Sequence, residues 1–130
     1  MSQLQGRQKL DPEPEPATGQ TLTFQKHSTG KSVYLKLNGE LDAHSSDLLR
    51  RTMRAEEHDG CHEVVLDLED LEFIDSTGLS TLIAAASRAQ AGGWTISVIN
   101  ARGKVRRVFD LTDMDSMLAY CQKTALQTEY

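Results

Sequence analysis

The chain has 130 residues, of which 38% are hydrophobic and 25% charged, and this composition suits one small globular domain. A net charge of −5, the lack of a basic run and only 5% aromatic residues disfavour direct nucleic-acid binding, because an acidic surface repels phosphates and few rings can stack on bases. No stretch approaches the roughly 18 apolar residues of a membrane span and no signal-like apolar core follows Met1, so we expect a cytoplasmic protein with no membrane partner.

The first 18 residues are predicted to form a flexible tail. All three prolines of the chain lie in Asp11–Pro16, where they alternate with acidic residues. Such a segment cannot pack a core. We therefore expect the folded domain to span residues 19–130.

A β-hairpin is predicted at the start of this domain, followed by a helix. Apolar and polar residues alternate on both sides of the turn Ser28–Lys31, as in strands with one buried face. The alternating apolar residues are Leu22, Phe24, Val33, Leu35 and Leu37. Ser45 or Ser46 is expected to cap the helix, which runs to about Glu57, before Gly60. Its inner face is predicted to contain Leu48, Leu49 and Met53.

The next strand and helix frame the most informative segment of the chain. Residues 63–68 are predicted to form a buried strand, and residues 76–91 a helix that ends at Gly92–Gly93. The helix is indicated by apolar residues at the spacing i, i+3, i+4 and i+7, which are Leu79, Leu82, Ile83 and Ala86. Asp75 and Ser76 fall where the chain turns into this helix, and both are good capping residues.

In the last third of the chain, the residue pattern predicts a strand over residues 94–99, a helix over 102–111, a strand over 117–120 and a short helix from residue 122. The inward residues of the first of these helices are expected to be Val105, Val108 and Phe109. A hairpin followed by alternating strands and helices indicates an α/β domain. We expect a mixed sheet of four to five strands with helices packed against it.

Ser76 is the candidate for a modified residue. At a helix N-terminus, free backbone N–H groups and the helix dipole favour an added phosphate, so the serine can be phosphorylated without unfolding its own domain. The alternative is that Ser76 is an ordinary capping residue in an ordinary turn.

The segment Phe73–Leu79 resembles the signature of the bacterial anti-sigma factor antagonists, which are members of the STAS domain family. Three further blocks resemble that family in the same order. Asn38–Asp42 resembles its Gly-Glu-Leu-Asp turn, Val65–Leu68 its central strand and Val105–Asp110 its third helix. The resemblance covers roughly residues 20–121.

The resemblance implies a single STAS-like domain that acts by switching partners. The unphosphorylated form would bind an anti-sigma factor that is itself an ATP-dependent serine kinase, and this would release the sigma factor. The kinase would then phosphorylate Ser76, and a metal-dependent serine/threonine phosphatase would restore the active form. The predicted partner-binding residues are Asp42, Asp75, Ser76, Thr77, Gly78, Ser80 and Thr81.

Two of these assignments have open alternatives. Asp42 follows the second strand, and the resemblance places it near Ser76, where it would contact the kinase or orient the acceptor; it could equally cap a turn. The helix after Ser76 is expected to present small, uncharged residues to a partner, although alanines are also simply good helix formers. These outward residues are Ser80, Thr81, Ala84, Ala85 and Ser87.

We expect a binding protein and not an enzyme, with no cofactor and no metal. The sequence lacks a Gly-rich phosphate loop and a Gly-x-Ser-x-Gly nucleophile elbow. His58, Cys61 and His62 are more simply explained as a polar helix end and strand start than as a metal site, because no second pair of ligands is visible. The alternatives are a phosphorylation-independent STAS scaffold or transporter-associated module, and a small nucleotide-binding domain.

Cys61 and Cys121 are expected to be free thiols. The resemblance implies that the central and last strands run parallel and are not adjacent, so these two residues would lie at opposite ends of the sheet, too far apart for a disulfide.

Overall fold

The computed structural model describes residues 21–127, with side chains described as far as Cys121. The predicted tail, residues 1–18, lies outside the described residues, as do residues 128–130. The extent of the domain therefore stays a prediction at both ends.

Within residues 21–127, four strands form one mixed sheet in the order β1-β2-β3-β4. The strands are β1 Leu22–Thr29, β2 Ser32–Leu41, β3 Glu63–Ile74 and β4 Thr95–Ile99. β1 and β2 form the predicted antiparallel hairpin, whereas β3 runs parallel to β2 and β4 runs parallel to β3. The α/β class and the mixed sheet are confirmed, and β3 continues beyond the predicted residue 68 to Ile74.

The described part of the chain contains four helices, which are α1 Ser46–His58, α2 Ser76–Gly92, α3 Gly103–Thr112 and α4 Met114–Gln127. The predicted strand over residues 117–120 is wrong, because this segment lies within α4. Met114 and Leu118 are buried and Cys121 is partly buried, which is the i, i+4, i+7 spacing of a helix face. A run of four apolar residues does not by itself distinguish a strand from a buried helix segment.

One hydrophobic cluster contains the inward side chains of the sheet together with residues of all four helices, so the helices cover one face of the sheet. In β2 and β3 alternate residues point into this core, and these are Val33, Leu35, Leu37, Val64, Leu66 and Leu68. Burying each such side chain contributes about 1.5–3 kcal/mol. Ala85 is also fully buried here, so its predicted outward position is wrong.

A β-bulge near the end of β3 decides which residues there are buried. The pairing of Gly39 with Leu71 is followed by that of Glu40 with Phe73, so Glu72 is an extra residue on β3. Ile74 consequently points into the core, and Phe73 points to the opposite face, where 43% of its surface is exposed. Without the extra residue, Phe73 and Ile74 would exchange faces.

The sheet face opposite the described helices holds a buried carboxylate, Asp67, which is 4% exposed. It accepts hydrogen bonds from the Tyr34 hydroxyl, from Asn100 Nδ2 at 3.1 Å and from the Glu69 N–H at 3.0 Å. Burial by itself raises the pKa of Asp67, but the hydrogen bonds outweigh it and hold the pKa below its usual value. The same bond to Asp67 is the main cause that raises the pKa of Tyr34.

Both cysteine thiols are free in the structure. The predicted reason is wrong, because Cys121 does not lie at the end of a last strand. It lies in α4, where its Sγ is 3.9 Å from Ser87 Oγ on α2.

Candidate functional site

The candidate site lies where the parallel strands β2 and β3 end side by side. Leu41 pairs with Ile74 at the ends of the two strands, so Asp42 and Asp75 follow neighbouring strands at the same edge of the sheet. The Asp75 N–H donates to the Leu41 carbonyl at 3.2 Å. The loop after β2 therefore lies beside the N-terminus of α2.

Asp75 is the N-cap of α2, in agreement with the capping role indicated by the sequence. Its Oδ1 accepts the Gly78 N–H at 2.9 Å, and its Oδ2 accepts the Ala43 N–H at 3.1 Å. The first bond caps the helix, and the second ties the loop after β2 to the helix N-terminus. Nothing in the sequence pattern indicated the bond to Ala43, because it joins residues that are far apart in the chain.

Ser76 is the first residue of α2 and is exposed, as is Thr77 beside it. Within the part of the chain that the structure describes, no group makes a hydrogen bond to the Ser76 hydroxyl. The first turn of α2 contains no acidic residue, so no carboxylate within that turn opposes the favourable field of the helix N-terminus. An exposed, unbonded hydroxyl in this position can be approached and modified.

Gly78 is buried in the first turn of α2, against the ends of β2 and β3. A Cβ on this residue would lie 2.6 Å from the Leu41 carbonyl oxygen and 2.8 Å from Ile74 Cγ1. The glycine therefore allows the first turn of α2 to pack directly on β2 and β3. A direct contact of Gly78 with a partner stays a prediction, and its packing role is the part visible in the structure.

Asp42 forms the turn that leads into α1. Its Oδ1 accepts the N–H groups of His44 and Ser45, both at 3.0 Å, and lies 3.1 Å from Ser45 Oγ. Its carbonyl accepts the Ser46 N–H at 2.8 Å. Ser45 stands at the predicted N-cap position, but its hydroxyl makes no capping bond to the helix. The geometry thus shows the turn-capping alternative for Asp42, and contact with a partner stays a prediction.

The outward face of α2 beyond the first turn is small and polar, as predicted for most of its members. Ser80, Ala84 and Ser87 are exposed. Thr81 is half-buried, and its hydroxyl donates to the Thr77 carbonyl at 2.9 Å. This face lies next to Ser76 and carries no long charged side chain at these positions.

A metal site and a membrane-spanning helix each have requirements that the described residues do not meet. Among them, no three His, Cys, Asp or Glu side chains are placed to hold a metal ion. None of the helices they form is both long enough and apolar enough to cross a membrane.

The family model described as "Mlab, STAS domain" matches residues 24–119. A relative from Paenibacillus polymyxa, the anti-sigma F factor antagonist, is 32% identical over 90 residues, which are 68% of this chain and 76% of the relative. The solved structure of an anti-sigma factor antagonist from Mycobacterium paratuberculosis is 25% identical with a TM-score of 0.62, and the match covers 77% of this chain and 84% of that one.

The fold is shared with the Bacillus anti-sigma factor antagonist SpoIIAA, which has been solved unphosphorylated and phosphorylated. The TM-scores are 0.63 and 0.59, each at 24% identity. The matches cover 71% of this chain and 82% of SpoIIAA in the unphosphorylated form, and 73% and 87% in the phosphorylated form. The family model and the Paenibacillus polymyxa relative show that the chain belongs to the STAS domain family, among its anti-sigma factor antagonists.

Proposed function

We propose that this protein is a phosphorylation-controlled binding switch and not an enzyme. In its unphosphorylated form it binds an anti-sigma factor that is a serine kinase, and the sigma factor is released. Phosphorylation of Ser76 by that kinase weakens the complex, and a metal-dependent serine/threonine phosphatase restores binding. Because ATP supplies the phosphate, the switch operates in the cytoplasm.

The observation that carries the proposal is the exposed, unbonded hydroxyl of Ser76 directly after the capping Asp75. A phosphate here meets the N-terminus of a 17-residue helix, which tolerates negative charge. The relative from Paenibacillus polymyxa supports the partner class, since its name makes it an antagonist of anti-sigma F factor. The phosphorylated form of SpoIIAA supports the mode of control.

The chemistry explains why the modification separates the partners. Ser76 Oγ attacks the γ-phosphorus of kinase-bound ATP, the new O–P bond forms, the bond to the β-phosphate oxygen breaks, and the serine proton passes to a base of the kinase. The phosphoserine then carries a charge of about −1.5 to −2 and lies against both ADP and Asp75. Each 1.4 kcal/mol of the resulting repulsion weakens binding about tenfold.

The proposal is tested with each anti-sigma factor kinase encoded in the same genome, purified and incubated with this protein and ATP. Mass spectrometry should locate the phosphate on Ser76. Ser76→Ala should abolish incorporation, and the matched variant Thr77→Ala should retain it. Phosphate on Thr77 with Ser76 unmodified would overturn the assignment, and binding by none of the kinases would overturn the function.

Ser76→Asp separates binding from folding. The helix N-terminus favours a negative charge by about 0.3–1 kcal/mol, and aspartate is acceptable in a first turn. The variant should therefore lose kinase affinity in a calorimetric titration while its melting temperature changes little. A melting temperature lowered by more than about 10 °C, which corresponds to well over 1 kcal/mol, would show that the site is structural.

A further inference from the structure

Phe73 is a large apolar side chain left in solvent beside the candidate site. It is 43% exposed and precedes the capping Asp75 by two residues. The other exposed large hydrophobic side chains of the described residues lie on β4, α3 and α4, and these are Ile99, Leu111, Met117 and Tyr120. Phe73 is thus the member of this set that adjoins the segment carrying Ser76.

The exposure of Phe73 follows from the bulge at Glu72. The bulge aligns Ile74 with Leu41 on the core face and leaves the larger aromatic side chain opposite Glu40 on the open face. Full burial of a phenylalanine side chain contributes more free energy than most single polar contacts contribute. The register of β3 leaves part of that stabilisation available to a second molecule.

Charges around Phe73 indicate the chemistry of that second molecule. Glu40 pairs with Phe73 across the strands, and Glu72 precedes it; both are exposed. Neither carboxylate makes a hydrogen bond or an ion pair within the described part of the chain. In contrast, the carboxylates of Asp42 and Asp75 are occupied by backbone N–H groups.

We propose that Phe73 is the apolar anchor of the docking surface, inserted into a pocket of the anti-sigma factor kinase that is apolar at its centre and basic at its rim. This inference rests on the proposed function, because the occupant is the partner that approaches Ser76. Anchors of this kind are aromatic and are surrounded by polar contacts that exclude water. Glu40 and Glu72 supply the acidic side of such a rim and accelerate association with a basic surface.

The test compares Phe73→Ala and Phe73→Leu with the matched control Met117→Ala. Met117 is exposed to a similar degree, 46%, and lies on α4. Each variant is titrated calorimetrically with the purified kinase that phosphorylates the wild type. Phe73→Ala should weaken binding by about 30-fold or more, Phe73→Leu by less, and Met117→Ala should match the wild type.

Two further measurements separate anchoring from folding and from other occupants. Thermal unfolding should show all three variants folded, and phosphorylation of Phe73→Ala should show a raised KM with kcat largely retained, because the acceptor hydroxyl is intact. Glu72→Gln should slow association at low salt and have a smaller effect at high salt. Sedimentation of the wild type and Phe73→Ala tests whether a second copy of this chain covers the ring.

Wild-type affinity in Phe73→Ala, together with lost affinity in Ser76→Asp, would overturn this inference and leave the proposed function standing. A wild-type dimer that Phe73→Ala dissociates would assign the ring to self-association and would also overturn it. Failure of every kinase to bind the wild type would overturn both.

Discussion

Substitution of Gly78 by alanine tests how the first turn of α2 is held against the sheet. At an ordinary helix position this change stabilises a protein by about 0.5–1 kcal/mol, because alanine has the higher helix propensity. Here the added Cβ would lie 2.6 Å from the Leu41 carbonyl oxygen and 2.8 Å from Ile74 Cγ1. Both distances are well inside van der Waals contact, so something must move.

The cost of that movement should exceed the gain in propensity. The nearest atom belongs to the backbone at the end of β2, and the same carbonyl accepts the Asp75 N–H, so it cannot rotate away freely. Overpacking of this kind costs about 1–3 kcal/mol. Because the nearest atom is backbone, we expect the upper part of this range, about 2–3 kcal/mol. Subtracting the gain in propensity leaves a net loss of about 1–2.5 kcal/mol, which lowers the melting temperature of a domain of this size by about 4–20 °C.

Thermal and urea unfolding of Gly78→Ala measure this loss. The matched control is Ser80→Ala, an exposed position on the same helix, for which we expect a change of no more than about 0.5 kcal/mol. The displaced α2 N-terminus should also reduce the rate of Ser76 phosphorylation. A Gly78→Ala protein as stable as the wild type would refute the packing argument.

Four further outcomes are expected. Asp75→Ala should lose about 1 kcal/mol of unfolding free energy in urea, whereas Asp75→Asn, which can still cap, should lose less; equal losses would contradict the capping role. The folded state lowers the pKa of Asp67, so its ionised carboxylate stabilises the fold above the unfolded-state pKa of about 3.9. This contribution is lost as the pH falls through the folded-state pKa. Asp67→Asn should therefore remove this part of the pH dependence of the free energy of unfolding. Asp42→Ala should lower the unfolding midpoint, because its side chain accepts the hydrogen bonds of the turn. Titration of the folded variant with the kinase measures its affinity, and a wild-type affinity would limit Asp42 to the turn-capping role. Thiol titration of the denatured, non-reduced protein should give both Cys61 and Cys121 as reactive groups, and fewer than two per chain without an intermolecular dimer would establish an internal disulfide.

Much of the candidate site could be predicted from the sequence because its signals are local. A buried strand, a capping aspartate and an apolar helix spacing over residues 79–86 depend only on neighbouring residues. Each is found at its predicted place, although the strand continues to Ile74. The position of Ser76 in the first turn of α2 follows from these signals alone. Its importance as a phosphate acceptor came from the family resemblance and stays a proposal.

Tertiary structure decided the features that depend on contacts between distant segments. The C-terminal apolar run became helix α4 because Met114 and Leu118 find the core at helical spacing, which four residues alone cannot specify. The bond from Ala43 to Asp75 required two strands to end side by side. The bulge at Glu72 buried Ile74 and exposed Phe73, although both side chains are apolar and adjacent. Alternation along a strand determines that neighbours face opposite sides, and only the register with the next strand determines which side is the core.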